Sequence, residues 1–288
     1  MNIQEINIRD PFVVNESGKY YMYTSLPPGF GVWVSSDLQT WEGPKSIWRP
    51  ATGHPANDQF WAPECHKYKE NFYLIASYHS AVLNHRRTSV FRSASPDGVF
   101  EEIFDITQYP PDWDVIDGTL YIDNAGQPWL VFVHEWTSMP DKVGDFSAAK
   151  LSADLSGFVS EPIVLFKASE MPGNPQNGVT DGCFLHRTQD GALLLLWSGL
   201  NPNRYCVVQA KSLSGEIEGP WEQIEQPLYD RTLSADSQDG GHGMLFQNCK
   251  GDLMLSIHSP NNPGRGNFER AKFLPVEETA QGLRIINR

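Results

Sequence analysis

Long apolar runs are missing from this chain of 288 residues. The longest spans residues 192–197, six residues where a membrane-spanning helix needs about 20, which excludes a helical membrane protein. Positive charge is scarce: 22 Lys and Arg stand against 35 Asp and Glu, a net charge of −13 at pH 7, and the one basic cluster is His85-Arg86-Arg87. A phosphate backbone or an anionic lipid surface would be repelled, so nucleic acid and membranes are excluded as partners. Cysteine is sparse. Cys65, Cys183, Cys206 and Cys249 form no CxxC pair and have no His at metal-site spacing, which excludes a structural zinc. Cys65, Cys183 and Cys249 lie in strand-like contexts and are expected as buried free thiols. Helical periodicity is absent from any long stretch and confined to short pieces such as residues 80–84. Residues 1–5 lack the basic head and apolar stretch of a secretion signal, so the expected compartment is the cytoplasm, or the exterior if a signal has been removed.

What the chain does have is punctuation and rings. It carries 24 Gly and 21 Pro, with 12% aromatic and 40% hydrophobic residues, enough apolar material for a sizeable core and too many breakers for a helical bundle. A motif recurs five times: a small or acidic turn, an apolar strand, a Gly or Asn turn and a second apolar strand. It reads Asp10-Pro11-Phe12-Val13-Val14 with Gly18 to follow, then Ala62-Pro63-Glu64-Cys65-His66 with Asn71. The later copies are Asp117-Gly118-Thr119-Leu120-Tyr121 with Gly126, Asp181-Gly182-Cys183-Phe184-Leu185 with Gly191, and His242-Gly243-Met244-Leu245-Phe246 with Gly251. The starts are 52, 55, 64 and 61 residues apart. A further small-residue turn follows most hairpins, with an aromatic after it, as in Ser35-Ser36-Asp37 before Trp41. About four antiparallel strands per repeat make a propeller blade, so the expected fold is an all-β, five-bladed β-propeller occupying residues 1–288 as a single domain.

In such a ring the innermost strands line a central channel, and the repeat openings converge at one end of it. Asp10, the Trp61-Ala62-Pro63-Glu64 turn, Asp117, Asp181 and His242 converge there. An Asp before Pro or Gly is a common turn residue, yet three at matching repeat positions point to chemistry. Carboxylates facing one another across a cleft suit glycosidic bond cleavage. One, ionised, activates water; another, protonated, gives its proton to the leaving oxygen; a third raises the pKa of the acid by like-charge repulsion.

In order and blade by blade, Arg9-Asp10-Pro11-Phe12, Trp61-Ala62-Pro63-Glu64, Val115-Ile116-Asp117-Gly118, Val179-Thr180-Asp181-Gly182 and Gly241-His242-Gly243 resemble glycoside hydrolase family 43 over essentially the whole chain. The resemblance implies a five-bladed propeller that hydrolyses α-L-arabinofuranosides or β-D-xylosides, less often galactosides, with inversion. It implies Asp10 as general base, Asp117 as the residue that tunes and orients the acid, and the blade-four position, Asp181, as general acid. The family usually has Glu followed by Gly-Pro at that last position. Asp is one methylene shorter, so three explanations are open: Asp181 is the acid, another Glu (Glu135 or Glu64) takes the role, or the ring binds sugar without cleaving it. A retaining relative of the invertases also shows Arg-Asp-Pro and Glu-Cys boxes, but places the former in an inner blade.

The resemblance further implies His242 at the channel axis, where a structural calcium held through water is conceivable and no cofactor is required. Glu64 is a candidate for substrate hydroxyls. Phe12, Trp61, Trp113 and Trp136 are candidate sugar platforms, because the C–H face of a sugar packs on an aromatic ring; Trp129 and Trp197, inside apolar strands, belong to the core. Tyr78-His79 and His134-Glu135 end second strands, Arg265 and Arg270 are candidate cations, and residues 50–60 and 136–148 are expected as long loops at the cleft. An oligosaccharide or polysaccharide is the expected partner.

Overall fold

The computed structural model describes residues 1–202, 204–234, 236–261 and 268–286. These residues form five four-stranded antiparallel sheets, each a simple up-and-down meander. Blade one holds β1 (Phe12–Glu16), β2 (Lys19–Ser25), β3 (Phe30–Ser35) and β4 (Trp41–Trp48); blade two holds β5 (Ala56–Tyr68), β6 (Asn71–Ser80), β7 (His85–Ser93) and β8 (Glu101–Glu102). Blade three is β9 (Val115–Ile122), β10 (Pro128–His134), β11 (Asp145–Lys150) and β12 (Ile163–Lys167). Blade four is β13 (Asp181–Arg187), β14 (Leu193–Leu200), β15 (Tyr205–Ser212) and β16 (Trp221–Tyr229), and blade five is β17 (Gly241–Gln247), β18 (Leu253–Ser259), β19 (Arg270–Thr279) and β20 (Gly282–Ile285). The five-bladed propeller read from the repeat is the fold.

The pattern follows from where each strand sits. Second strands are sandwiched between neighbouring blades, so β10 is buried at all seven positions and reads as an uninterrupted apolar run. Outer strands meet solvent, and β4 has a run of exposed residues between buried Trp41 and Trp48. Trp129 and Trp197 are core, each indole N–H satisfied by a side-chain oxygen 3.0 Å away, on Asp123 and Gln223 respectively. The first hairpin shows the turn chemistry: Glu16 pairs with Lys19 around Ser17-Gly18, both with positive φ, as a tight two-residue hairpin requires.

Every blade is one contiguous segment, and among the described residues the ring closes without a shared strand. The seam between blades one and five is made by Ile8 N–H to the Glu269 carbonyl (2.9 Å), Ser256 Oγ to the Pro11 carbonyl (2.7 Å), Cys249 N–H to the Tyr20 hydroxyl (2.7 Å) and the Arg9–Glu269 ion pair (2.7 Å).

Three details differ from the sequence reading. Residues 80–84 are a turn between β6 and β7, too short for helical hydrogen bonding to propagate; the helical segments among the described residues are single 3₁₀ turns at Ile3–Glu5, Ile106–Gln108 and Ala168–Glu170. Of residues 50–60, those from Ala56 onward belong to the long β5. Cys249 is exposed, because the β17–β18 turn carries it off the strand, while Cys65, Cys183 and Cys206 are buried free thiols. No helix of the described residues is long and apolar enough to cross a membrane.

Candidate active site

Each innermost segment reaches the hub through one residue in the left-handed region: Asp10 (φ 52°), Ala62 (42°), Asp117 (51°), Gly182 (48°) and His242 (54°). In blades two to five the ladder slips at this point, the signature of a β-bulge that turns a side chain out of the pleat. Blade four differs from one and three in a way that matters. Its left-handed residue is Gly182, and Asp181 stands one place earlier, at the position that Arg9, Trp61 and Ile116 occupy in their blades. The three aspartates therefore do not hold equivalent backbone positions. Space, more than backbone angle, requires Gly182: the other four blades carry side chains at the same φ, but a Cβ here would come within 2.8 Å of the His242 ring.

The bulges open onto a cavity of about 330 Å³ lined by Arg9, Asp10, Ser25, Trp61, Ile116, Asp117, Glu135, Trp136 and Asp181. Asp10, Asp117, Asp181, Trp61 and Trp136 are thus brought together as the sequence suggested. His242 lies at the hub beside the acids, its Nδ1 3.2 Å from Asp10 Oδ1, 3.3 Å from Asp181 Oδ1 and 3.9 Å from Asp117 Oδ2. Phe12, Glu64 and Trp113 do not line the cavity. Phe12 is buried in the channel, 5.1 Å from the His66 ring and 6.1 Å from Phe184 of blade four, because it lies two residues past the left-handed Asp10. Glu64, two past Ala62, is buried against His66 at 3.0 Å. Trp113 stacks on His134 with centroids 3.8 Å apart. Tyr78 is buried and donates to Glu102 (2.7 Å), and His79 pairs with Asn57. Arg270 donates to the Gln4 carbonyl and packs on Phe268; Arg265 lies outside the described residues.

The charges are tightly balanced. Burial alone would raise Asp10, but His242, Arg9 and His258 outweigh it and hold the carboxyl down at about 2; His258 Nδ1 is 3.0 Å from Oδ1 and Arg9 Nε 3.7 Å from Oδ2. Burial opposes charge on His242 too, yet Asp10, Asp117 and Asp181 push it up to about 10, so it is an imidazolium at neutral pH. Burial drives Asp117 well above the carboxylate range, with Asp181 and Asp10 adding to it. Asp181 is held below that range against burial, by His242 foremost, and its Oδ2 accepts from the Tyr205 hydroxyl at 2.5 Å. One atom from each of Asp117, Asp181 and His242 lie within 4.8 Å of one another, close enough to share a cation. These are two oxygens and one ring nitrogen, so a calcium, which takes six to eight oxygens, would need water for most of its ligands there; the imidazolium of His242 supplies positive charge at the same point.

The sequence reading missed how the basic residues are used. Arg87 is buried and donates to the backbone carbonyls of Trp113 and Pro111. Arg86 donates from Nε to Glu135 Oε2 (2.5 Å) and from Nη2 to Asp114 Oδ2 (3.1 Å) and Thr137 (2.7 Å), and lies 5.7 Å from the Trp61 ring. Tyr205 and His258, which hold Asp181 and Asp10, carried no motif.

The family model described as glycosyl hydrolases family 43 matches residues 3–281. An endo-arabinase from Bacteroides thetaiotaomicron superposes with a TM-score of 0.86 at 33% identity, over 97% of this chain and 98% of that one. An endo-1,4-β-xylanase from the same organism superposes at 0.79 with 26% identity, over 98% and 95%. The extracellular exo-α-(1→5)-L-arabinofuranosidase ArbA of Cellvibrio japonicus is 25% identical over 309 aligned residues, covering 99% of this chain and 84% of ArbA.

Proposed function

Because the chain belongs to glycosyl hydrolases family 43 and is a glycoside hydrolase, we propose that it hydrolyses α-L-arabinofuranosyl linkages of arabinan-type glycans with inversion, β-D-xylosidic linkages being the second choice. Two of the relatives named above are an arabinofuranosidase and an endo-arabinase, and the third is a xylanase; this supports pentose glycans and puts arabinose first. The observation that carries the reading is Asp10, a carboxylate kept ionised by Arg9, His242 and His258 at the wall of a cavity that also holds two tryptophans. Asp10 takes the proton from a water as that water's oxygen attacks the anomeric carbon, and an acid protonates the departing sugar oxygen. Asp117 accepts the Gly182 N–H at 3.0 Å and so ties the blade-three bulge to that of blade four. In blade order the proton donor falls on Asp181, and Glu135 is the other carboxyl able to fill the role. Trp61 and Trp136 offer the flat apolar faces on which a furanose or pyranose packs.

The test is hydrolysis of arabino- and xylo-oligosaccharides and aryl glycosides, with the anomer first released followed by ¹H NMR. An inverted pentose is expected, with arabinosides preferred at least tenfold. Turnover of none of these substrates defeats the reading, and a first product of retained configuration defeats the inverting mechanism. A second expectation concerns the axis. Since His242 supplies the cation there, EDTA should leave kcat and Tm unchanged; a loss restored by Ca²⁺ would place a calcium in the hub. Four free thiols suit a reducing compartment, and we keep the cytoplasm as the proposed location, although ArbA is extracellular.

A further inference from the structure

We propose that Glu135, and not Asp181, is the carboxyl that protonates the departing sugar oxygen, with Arg86 holding it by Oε2; this rests on the glycosidase reading above. The first ground is a shared partner. Asp10 Oδ1 and Asp181 Oδ1 both contact the same nitrogen, His242 Nδ1, at 3.2 and 3.3 Å, so they lie at most those two lengths apart, 6.5 Å. The two aspartates are thus members of one cluster around His242, whereas Glu135 reaches the same cavity from outside that cluster, with Arg86 as its charge partner. The second ground is engagement. Asp181 is tied through Oδ1 to an imidazolium and through Oδ2 to the Tyr205 hydroxyl, the surroundings of a carboxylate that stays charged and orients its neighbours.

Glu135 lines the same cavity from a different element, the residue that follows β10, next to Trp136. It is buried, its charge partner is Arg86, and Arg86 lies against Trp61, so one guanidinium sets both a sugar platform and the carboxyl beside it. A neutral carboxylic acid can still accept from Arg86 on Oε2 while carrying its proton on Oε1. Burial outweighs Arg86 and raises Glu135 from its ordinary value, in the direction an acid needs. The step balances: as water bonds to the anomeric carbon, Asp10 accepts the water's proton, the glycosidic C–O bond breaks, and the departing oxygen takes the proton of Glu135. Exchange with solvent then returns a proton to Glu135 and removes one from Asp10. Asp181 becomes a positioning residue that fixes His242 and, through it, Asp10.

The experiment compares Glu135→Gln and Asp181→Asn on an arabino-oligosaccharide and on aryl arabinosides whose leaving groups differ in pKa. An acid matters most where the leaving group is poor. Glu135→Gln should lose about 10²–10⁴-fold in kcat/KM on the oligosaccharide and only a few fold on a 2,4-dinitrophenyl glycoside, and its pH profile should lack the basic limb. Asp181→Asn should lose rate evenly across leaving groups and keep that limb. The groups facing Glu135 that could titrate in its place are Arg86 on β7 and Asp114 before β9, with Arg9, Asp10, Asp117 and Asp181 around the same cavity. Should Glu135→Gln fail to fold, Glu135→Asp carries the test, keeping a basic limb at reduced rate. The leaving-group dependence appearing in Asp181→Asn and not in Glu135→Gln would overturn the proposal. A wild-type enzyme inactive on every glycoside would instead overturn the reading beneath it.

Discussion

Asp10→Asn should lower kcat by about 10⁴-fold, the upper end of what a positioned base supplies, while the protein still melts cooperatively. The amide keeps the shape of the carboxyl and cannot take a proton. The wild-type pH profile should agree: with Asp10 held at about 2, the base is ionised through the whole range in which the protein is folded, so activity falls on the acid side only as pH approaches that value. The same shift acts on stability. A carboxyl whose pKa is depressed on folding stabilises the native state above the unfolded value near 4 and loses that contribution as pH falls toward 2. Kinetics on an arabino-oligosaccharide and a melting curve check both parts, and retained activity within tenfold of wild type would remove Asp10 from the base role.

His242→Ala should be the most destabilising single change at the hub, about 3–5 kcal/mol, since it strips the cation from a buried cluster in which Asp10 and Asp181 are ionised. The loss should depend on pH with a definite sign. His242 is raised to about 10 when folded, against 6.5 when unfolded. Its contribution is therefore complete below 6.5 and disappears as pH rises through 10. The Tm gap between wild type and variant should be widest near pH 6 and narrow steadily toward pH 10. A gap constant across that range would mean that His242 is neutral in the folded protein. Activity should be lost as well, because Asp10 and Asp181 are both oriented by the same ring nitrogen.

The fold was legible because repetition multiplies weak signals. One Asp-Pro or Gly turn says little, whereas five hairpins at near-equal spacing leave few arrangements open. The cavity was half legible. Asp10 and Asp117 were found because chain position and hub position coincide for residues that open an inner strand. Trp61 was found for the same reason. Phe12 and Glu64 were misplaced by their distance from the bulge: two residues further along a strand is one layer deeper in the channel, and the turn was read as a point when it has depth. Blade four shows a harder limit. Asp117-Gly118 and Asp181-Gly182 are the same dipeptide, yet the left-handed residue is the aspartate in one and the glycine in the other. Packing against His242 decides that difference, and no local pattern encodes it. Arg86 stood out only as part of a small basic cluster, because its partners Glu135 and Asp114 are 49 and 28 residues away.

The seam that closes the ring runs through the candidate active site. Asp10 belongs to the first blade, and its two histidines, 242 and 258, belong to the last, as does Glu269, which anchors Arg9. Among the described residues no strand is shared across that junction, and side chains with a few backbone contacts latch blade one to blade five. The proposed base is thus set by the joint itself. A ring that gaped there by an ångström or two would keep all five sheets intact and lose its chemistry, so heat inactivation would run ahead of the loss of β-structure. The catalytic register of this enzyme is a measure of closure, read out at the one place where the two ends of the chain must find each other.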